Sequence, residues 1–167
     1  MRRNRKGFTL VELLAVIVVL AIVMGLAVVG ITSVLENTRK SAFASDAKSF
    51  IQGAHSLVSS DQANALMGET TKYSPSCTSA QTVYLPIELI PLEQGGKSPY
   101  GTAYTKGSAT EKATTAPSTG SYVKVTSTVS GGSCEMAYSI YLTDGVKHIG
   151  AKSSEVAEAS VNSNSVQ

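Results

Sequence analysis

The stretch LLAVIVVLAIVMGLAVVGITSVL, running from Leu13 to Leu35, holds 23 residues without a single charge. Wound as an α-helix it measures about 35 Å, enough to cross a hydrocarbon core of about 30 Å. A secretory signal peptide is one alternative, but its apolar core is usually about 7–15 residues long and ends in a small-residue cleavage site. A buried core helix is the other. Few chains of 167 residues enclose so long a uniformly apolar segment. A membrane-spanning segment is therefore expected. Arg2, Arg3, Arg5 and Lys6 stand immediately before it. Such a cluster stays in the cytoplasm and leaves the C-terminal bulk outside.

The charge inventory agrees with that division. Lys and Arg number 14 against 12 Asp and Glu, a formal net charge of +2. With the four leader positives set aside, the balance is 10 against 12. A basic patch confined to the extreme N-terminus reads as a topology device and argues against a dedicated nucleic-acid binder.

Glu12 breaks the apolar pattern, four residues after Phe8 and flanked by Val11 and Leu13. A carboxylate near hydrocarbon costs a few kcal/mol, so it either reaches the headgroup zone or marks a partner. The run Lys6-Gly7-Phe8-Thr9-Leu10-Val11-Glu12-Leu13-Leu14 resembles the class III signal of the type IV pilin and pseudopilin family. The resemblance implies that a prepilin peptidase cuts between Gly7 and Phe8 and methylates the new terminus. The mature chain would have 160 residues. It also implies that Glu12 of one subunit meets the Phe8 ammonium of a neighbour. Opposite charges in a low-dielectric setting attract far more strongly than in water, and either one left unpaired is costly. The expected partners are further copies in a helical homopolymer, the peptidase, an assembly platform with its ATPase, and the membrane before assembly. Many pilins carry a proline midway along this helix, whereas here none occurs between Phe8 and Tyr73. Gly25 and Gly30 are either weak points of the helix or close-packing sites between helices.

Beyond Leu35, Phe43, Ala47, Phe50, Ala54 and Leu57 recur at steps of four and three, with Ile51 and Val58 beside them. That is one amphipathic face. It predicts a helix from about Phe8 to Ser59 and a short second helix around residues 61–67, closed by Gly68. Residues 122–129 alternate, with Val123, Val125 and Val129 on one side. Met136, Tyr138, Ile140 and Leu142 alternate again, and Asp144-Gly145 signals a hairpin before residues 146–149. The expected fold is α+β, a long N-terminal helix packed on a C-terminal antiparallel sheet.

The expected boundaries are a leader at 1–7, a spanning helix at 8–35, its amphipathic half at 36–60 and a globular head at 61–167. All five prolines fall in the irregular connection at about 69–120. A short helix interrupted at Pro91 is possible across Pro86 and Glu93. The segment Gly95-Gly96-Lys97-Ser98-Pro99-Tyr100-Gly101 is loop chemistry, loosely similar to a Pro-aromatic-Gly segment of major pseudopilins. Between Thr102 and Ser133, 14 of 32 positions are Ser or Thr, which suits exposed loop or edge. The polar tail after Ser153 reads as peripheral or as a docked last strand.

Cys77 and Cys134 are the two cysteines. In an extracytoplasmic head they form a disulfide tying the irregular region to the sheet, or remain two buried thiols. The bridge is the favoured expectation. No catalytic constellation, cofactor motif or metal-ligand spacing is visible: His55 and His148 are isolated, and Glu88, Glu93 and Asp144 form no recognisable calcium loop. The expected protein is a non-enzymatic filament subunit, first a single-pass precursor with a cytoplasmic N-terminus and then part of an extracellular fibre for adhesion, motility or uptake. A pseudopilin of a secretion or competence system shares the whole N-terminal argument. A single-pass anchored binding domain would keep its leader and form no polymer.

Overall fold

The structure, a computed structural model, describes residues 7–91 and 96–167. The basic leader residues Arg2, Arg3, Arg5 and Lys6, together with Glu93 and Gly95, lie outside the described residues. The order of elements is α1 (Leu10–Leu66), β1 (Gln81–Pro86), β2 (Tyr122–Ser130), β3 (Ser133–Thr143), β4 (His148–Ile149) and β5 (Val156–Ala157). The chain divides into two compact units, Met1–Thr38 and Arg39–Gln167.

In the first unit the described large apolar side chains are exposed, Phe8, Leu13, Ile17, Leu20, Ile22 and Leu35 among them, and the helix reaches a mean hydropathy of 3.1. It is long and apolar enough to cross a membrane.

The second unit buries a stripe of α1 made of Phe43, Ala44, Ala47, Phe50, Ile51, Ala54 and Val58. These residues share one core with Val83 and Leu85 of β1, Val123 and Val125 of β2, Ile140 and Leu142 of β3, and Ile149 of β4. Tyr104 meets the rings of Phe43 and Phe50 edge-on, at 5.4 and 5.5 Å between centroids. Each large side chain fully removed from water contributes about 1.5–3 kcal/mol, so this stripe holds helix to sheet.

The helix does not break at Ser59. It runs without interruption to Leu66, so the separate second helix expected at residues 61–67 is the last two turns of α1. Nothing between Ser59 and Asp61 removes a backbone donor, and the Ser60 hydroxyl bonds back to the Leu57 carbonyl at 2.9 Å. Gly68 ends the helix instead, at φ +94°. Its N–H reaches the Ala65 carbonyl while that of Glu69 reaches Asn64, which closes the end as a Schellman turn. Leu57, expected at the centre of the apolar face, is only half-buried.

The sheet is antiparallel, in the order β1-β2-β3-β4, and β5 also pairs with β3. β1 lies inside the stretch expected to be irregular. Its alternation is short and ends on Pro86, which an edge strand tolerates because the missing donor faces no partner strand. The possible helix after Pro86 is one 3₁₀ turn, Ile87–Leu89. On β2, Ser127 rather than Val129 is the buried residue that follows Val123 and Val125 on that face, because Val129, though paired with Cys134, sits at the exposed hairpin end. Ser127 tolerates burial by bonding the Ser76 carbonyl at 2.9 Å. The tail is docked: Val161 and Val166 are core residues, and Gln167 exchanges both backbone hydrogen bonds with His148.

Candidate functional site

At the start of α1, Thr9 and Glu12 close a reciprocal cap. The Thr9 backbone N–H and hydroxyl both donate to Glu12 Oε2 at 2.9 Å, and the Glu12 N–H donates to Thr9 Oγ1 at 3.3 Å. This is a capping box, with Thr9 as the N-cap and Glu12 at the third helical position. The first turn of a helix has N–H groups without intrahelical partners and a partial positive charge, so a carboxylate placed there is favoured. Both contacts converge on Oε2, and the Glu12 side chain as a whole is exposed. Thr9 was not singled out from the sequence, although Thr-x-x-Glu before an apolar run is a recognisable capping signature.

Gly7 and Phe8 precede the helix without regular structure and are exposed. A Cβ added at Gly7 meets nothing within 4 Å among the described residues. Phe8 keeps 89% of its surface exposed. Gly25 also faces open space, and α1 passes through Gly25 and Gly30 without a break.

The other candidate residues lie in the head. Cys77 and Cys134 are joined by a disulfide, with Cα atoms 5.6 Å apart, and it links the chain ahead of β1 to the start of β3. His55 Nε2 lies 3.0 Å from Glu158 Oε2, and its ring stacks on Tyr138 at 3.6 Å. His148 serves the sheet through its backbone. Asp144 accepts the N–H groups of Val146 and Lys147 at 2.9 and 2.7 Å, with the hydroxyls of Ser98 and Thr102. It therefore shapes its own turn and pins the segment around Pro99 to it. Glu88 holds the N–H groups of Gly107 and Ala109. Among the described residues no group of three His, Cys, Asp or Glu side chains could hold a metal ion. A cleft of about 360 Å³ at the end of α1, lined by Gln62, Leu66, Thr71, Pro75 and Cys77 among others, offers no pair of titratable side chains.

Burial works against the charge on Asp61, Asp144 and Glu155, yet hydrogen bonds outweigh it and hold all three carboxyls below their ordinary range. For Glu155 the contributors include the Tyr122 hydroxyl at 3.0 Å and Lys124 at 3.2 Å. Burial and then the Asp46 carboxylate, 2.6 Å from its hydroxyl, push the Tyr104 phenol far up.

Residues 2–28 match the family described as the prokaryotic N-terminal methylation motif. The chain thus carries the class III signal of type IV pilins and pseudopilins. Such a motif implies processing by a prepilin peptidase, and together with the apolar helix it supports a membrane-anchored precursor of the pilin or pseudopilin kind. No curated protein and no solved structure shows significant similarity to the chain.

Proposed function

We propose that the chain is the precursor of a major type IV pilin, a structural and non-enzymatic subunit cut after Gly7, methylated on Phe8 and polymerised into a surface fibre for adhesion, motility or uptake. The observation that carries this reading is an exposed helix that starts just after Phe8, holds a capped Glu12 in its first turn and then runs uncharged from Leu13 to Leu35. Apolar area of that extent is stable only in lipid or against like helices. The bilayer covers it in the precursor, and neighbouring copies cover it in the fibre. The ammonium created at Phe8 then needs a counter-ion, and the capping box holds Glu12 in the first turn to receive a neighbour's terminus. The assembly platform and its ATPase draw the subunit from the membrane.

A pseudopilin of a secretion or competence system is the second reading. It is favoured by the Pro99-Tyr100-Gly101 segment, which resembles one found in major pseudopilins. Terminal sequencing of sheared surface material, combined with electron microscopy, tests both. Long fibres of a chain beginning at methyl-Phe8 support the pilin, short envelope-bound stubs support the pseudopilin, and an intact Met1 end refutes both.

A further inference from the structure

Two cations from distant parts of the chain converge on one ring. Arg39 Cζ lies 5.9 Å and Lys147 Nζ 5.7 Å from the centroid of Tyr100. Arg39 belongs to α1, Lys147 stands in the turn between β3 and β4, and Tyr100 follows Ser98 in its loop. Asp144 ties that loop to that turn, accepting the hydroxyls of Ser98 and Thr102 and the Lys147 N–H. The Tyr100 ring also meets Phe43, one turn beyond Arg39, at 6.2 Å. Lys40 and the exposed Lys97 adjoin the same segments.

The acids of this end are engaged inside the head. Asp144 is buried among its donors, and Asp46 accepts the hydroxyl of the buried Tyr104 at 2.6 Å. Glu36, three residues before Arg39, is half-buried. Beside Lys147, Val146 keeps 66% of its surface exposed. Among the described residues of the head, the other exposed large apolar side chains are Leu66, Met67 and Val129. Leu66 and Met67 lie at the C-terminal end of α1, and Val129 pairs with Cys134 at the opposite end of β3 from this turn. Val146 alone of these stands with the two cations and the ring.

We propose that this patch docks the head on anionic lipid headgroups while the chain is still a membrane-anchored precursor. Arg39 follows Leu35, the last residue of the uncharged span, by four residues, at most about 14 Å of chain. The patch is thereby tethered close to the headgroup layer. A tyrosine ring and a small apolar side chain suit the boundary between hydrocarbon and water, and cations beside them are drawn to anionic lipid. Two cations gathered at one ring repel each other, and a lipid phosphate between them removes that cost. The tether favours lipid over a second copy, because the bilayer is always within reach. The inference rests on the membrane-anchored reading, and drawing the subunit into a fibre would break the contact.

The chain has no tryptophan, so Val146→Trp in the full-length chain is a single fluorescent reporter. The test places that chain, one per disc, in nanodiscs of phosphatidylglycerol or of phosphatidylcholine, each doped with headgroup-spin-labelled lipid. Strong quenching is expected in phosphatidylglycerol and weak quenching in phosphatidylcholine, with Val129→Trp weakly quenched in both. The docked-to-free ratio of the head, read from the quenched fraction, should fall about fivefold for each of Arg39→Gln and Lys147→Gln. The comparison of lipids leaves both cations in place, so it decides the matter even where the glutamine pair disturbs the fold. Equal quenching of Val146→Trp in the two lipids overturns the inference. So does quenching that needs several chains in a disc, which would assign the patch to a second copy. Co-elution with the discs reports insertion separately: an inserted chain without lipid-dependent quenching sinks the docking and leaves the anchor intact, whereas a chain that never enters the discs sinks both.

Discussion

Ser74 gives both its backbone N–H and its hydroxyl to Oδ2 of Asp61, at 2.8 and 2.7 Å, while both residues are buried. Asp61 also accepts the N–H groups of Lys72 and Tyr73 at 2.9 and 3.0 Å. The last turns of α1 thereby fix the path of the chain toward β1. Asp61→Ala leaves those donors buried without an acceptor, and hydrogen bonds to a charged group contribute about 1.5–3 kcal/mol each. The variant is expected to lose about 3 kcal/mol, read as a lower urea midpoint of the purified protein. Asp61→Asn, which keeps one carbonyl acceptor, should fall between the two.

The same carboxylates set the response to acid. Asp61, Asp144 and Glu155 have folded pKa values below their unfolded ones. Between those values the unfolded chain binds more protons, so stability rises with pH across that window. Their contribution is complete above the ordinary carboxylate range of about 4 and is lost as pH falls through the folded values. Tyr104 and Tyr122 shift upward, chiefly through burial. Their contribution is complete below about pH 10 and is lost as pH climbs through the folded values. A plateau of thermal midpoint between about pH 5 and 9, with a fall on either side, is expected from melting curves.

The disulfide closes a sequence separation of 57 residues. Chain-entropy arithmetic assigns such a loop about 4 kcal/mol. Cys77→Ser with Cys134→Ser, or reduction of the parent, should lower the unfolding midpoint markedly. Mass spectrometry should show a difference of two hydrogens between the oxidised and reduced parent.

Glu12 has two duties, one in its own helix cap and one toward a neighbouring terminus, and conservative variants separate them. Thr9→Ala loses the cap, which contributes about 1 kcal/mol, and keeps the charge. Glu12→Gln keeps a carbonyl for the cap and loses the charge. Glu12→Gln and Glu12→Ala are expected to be cleaved and inserted normally but to yield few fibres, with Thr9→Ala milder. Normal fibre yield from Glu12→Gln, counted by microscopy, would refute the charge pair.

Gly120 has φ +85° and approaches the Gly107 backbone too closely for any side chain. Gly131 has φ +58° in open space. Gly120→Ala is expected to cost about 3 kcal/mol, from strain added to a backbone clash, against about 1 kcal/mol for Gly131→Ala. Paired urea titrations measure the difference.

The signal at residues 6–14, the uncharged span and the amphipathic face of α1 were legible in the sequence because each depends on neighbours a few residues apart. Helical period and bilayer thickness turn such patterns directly into structure. The hairpin of β2 and β3 was legible for the same reason, its turn being Gly131-Gly132. What needed the tertiary structure was everything that joins distant chain: β1 under its prolines, Val161 and Val166 entering the core, Asp61 choosing Ser74, and Asp144 choosing Ser98 across 46 residues. A polar side chain carries no mark in sequence of which distant donor it will meet. Only burial, by removing water as the competing partner, makes one pairing decisive.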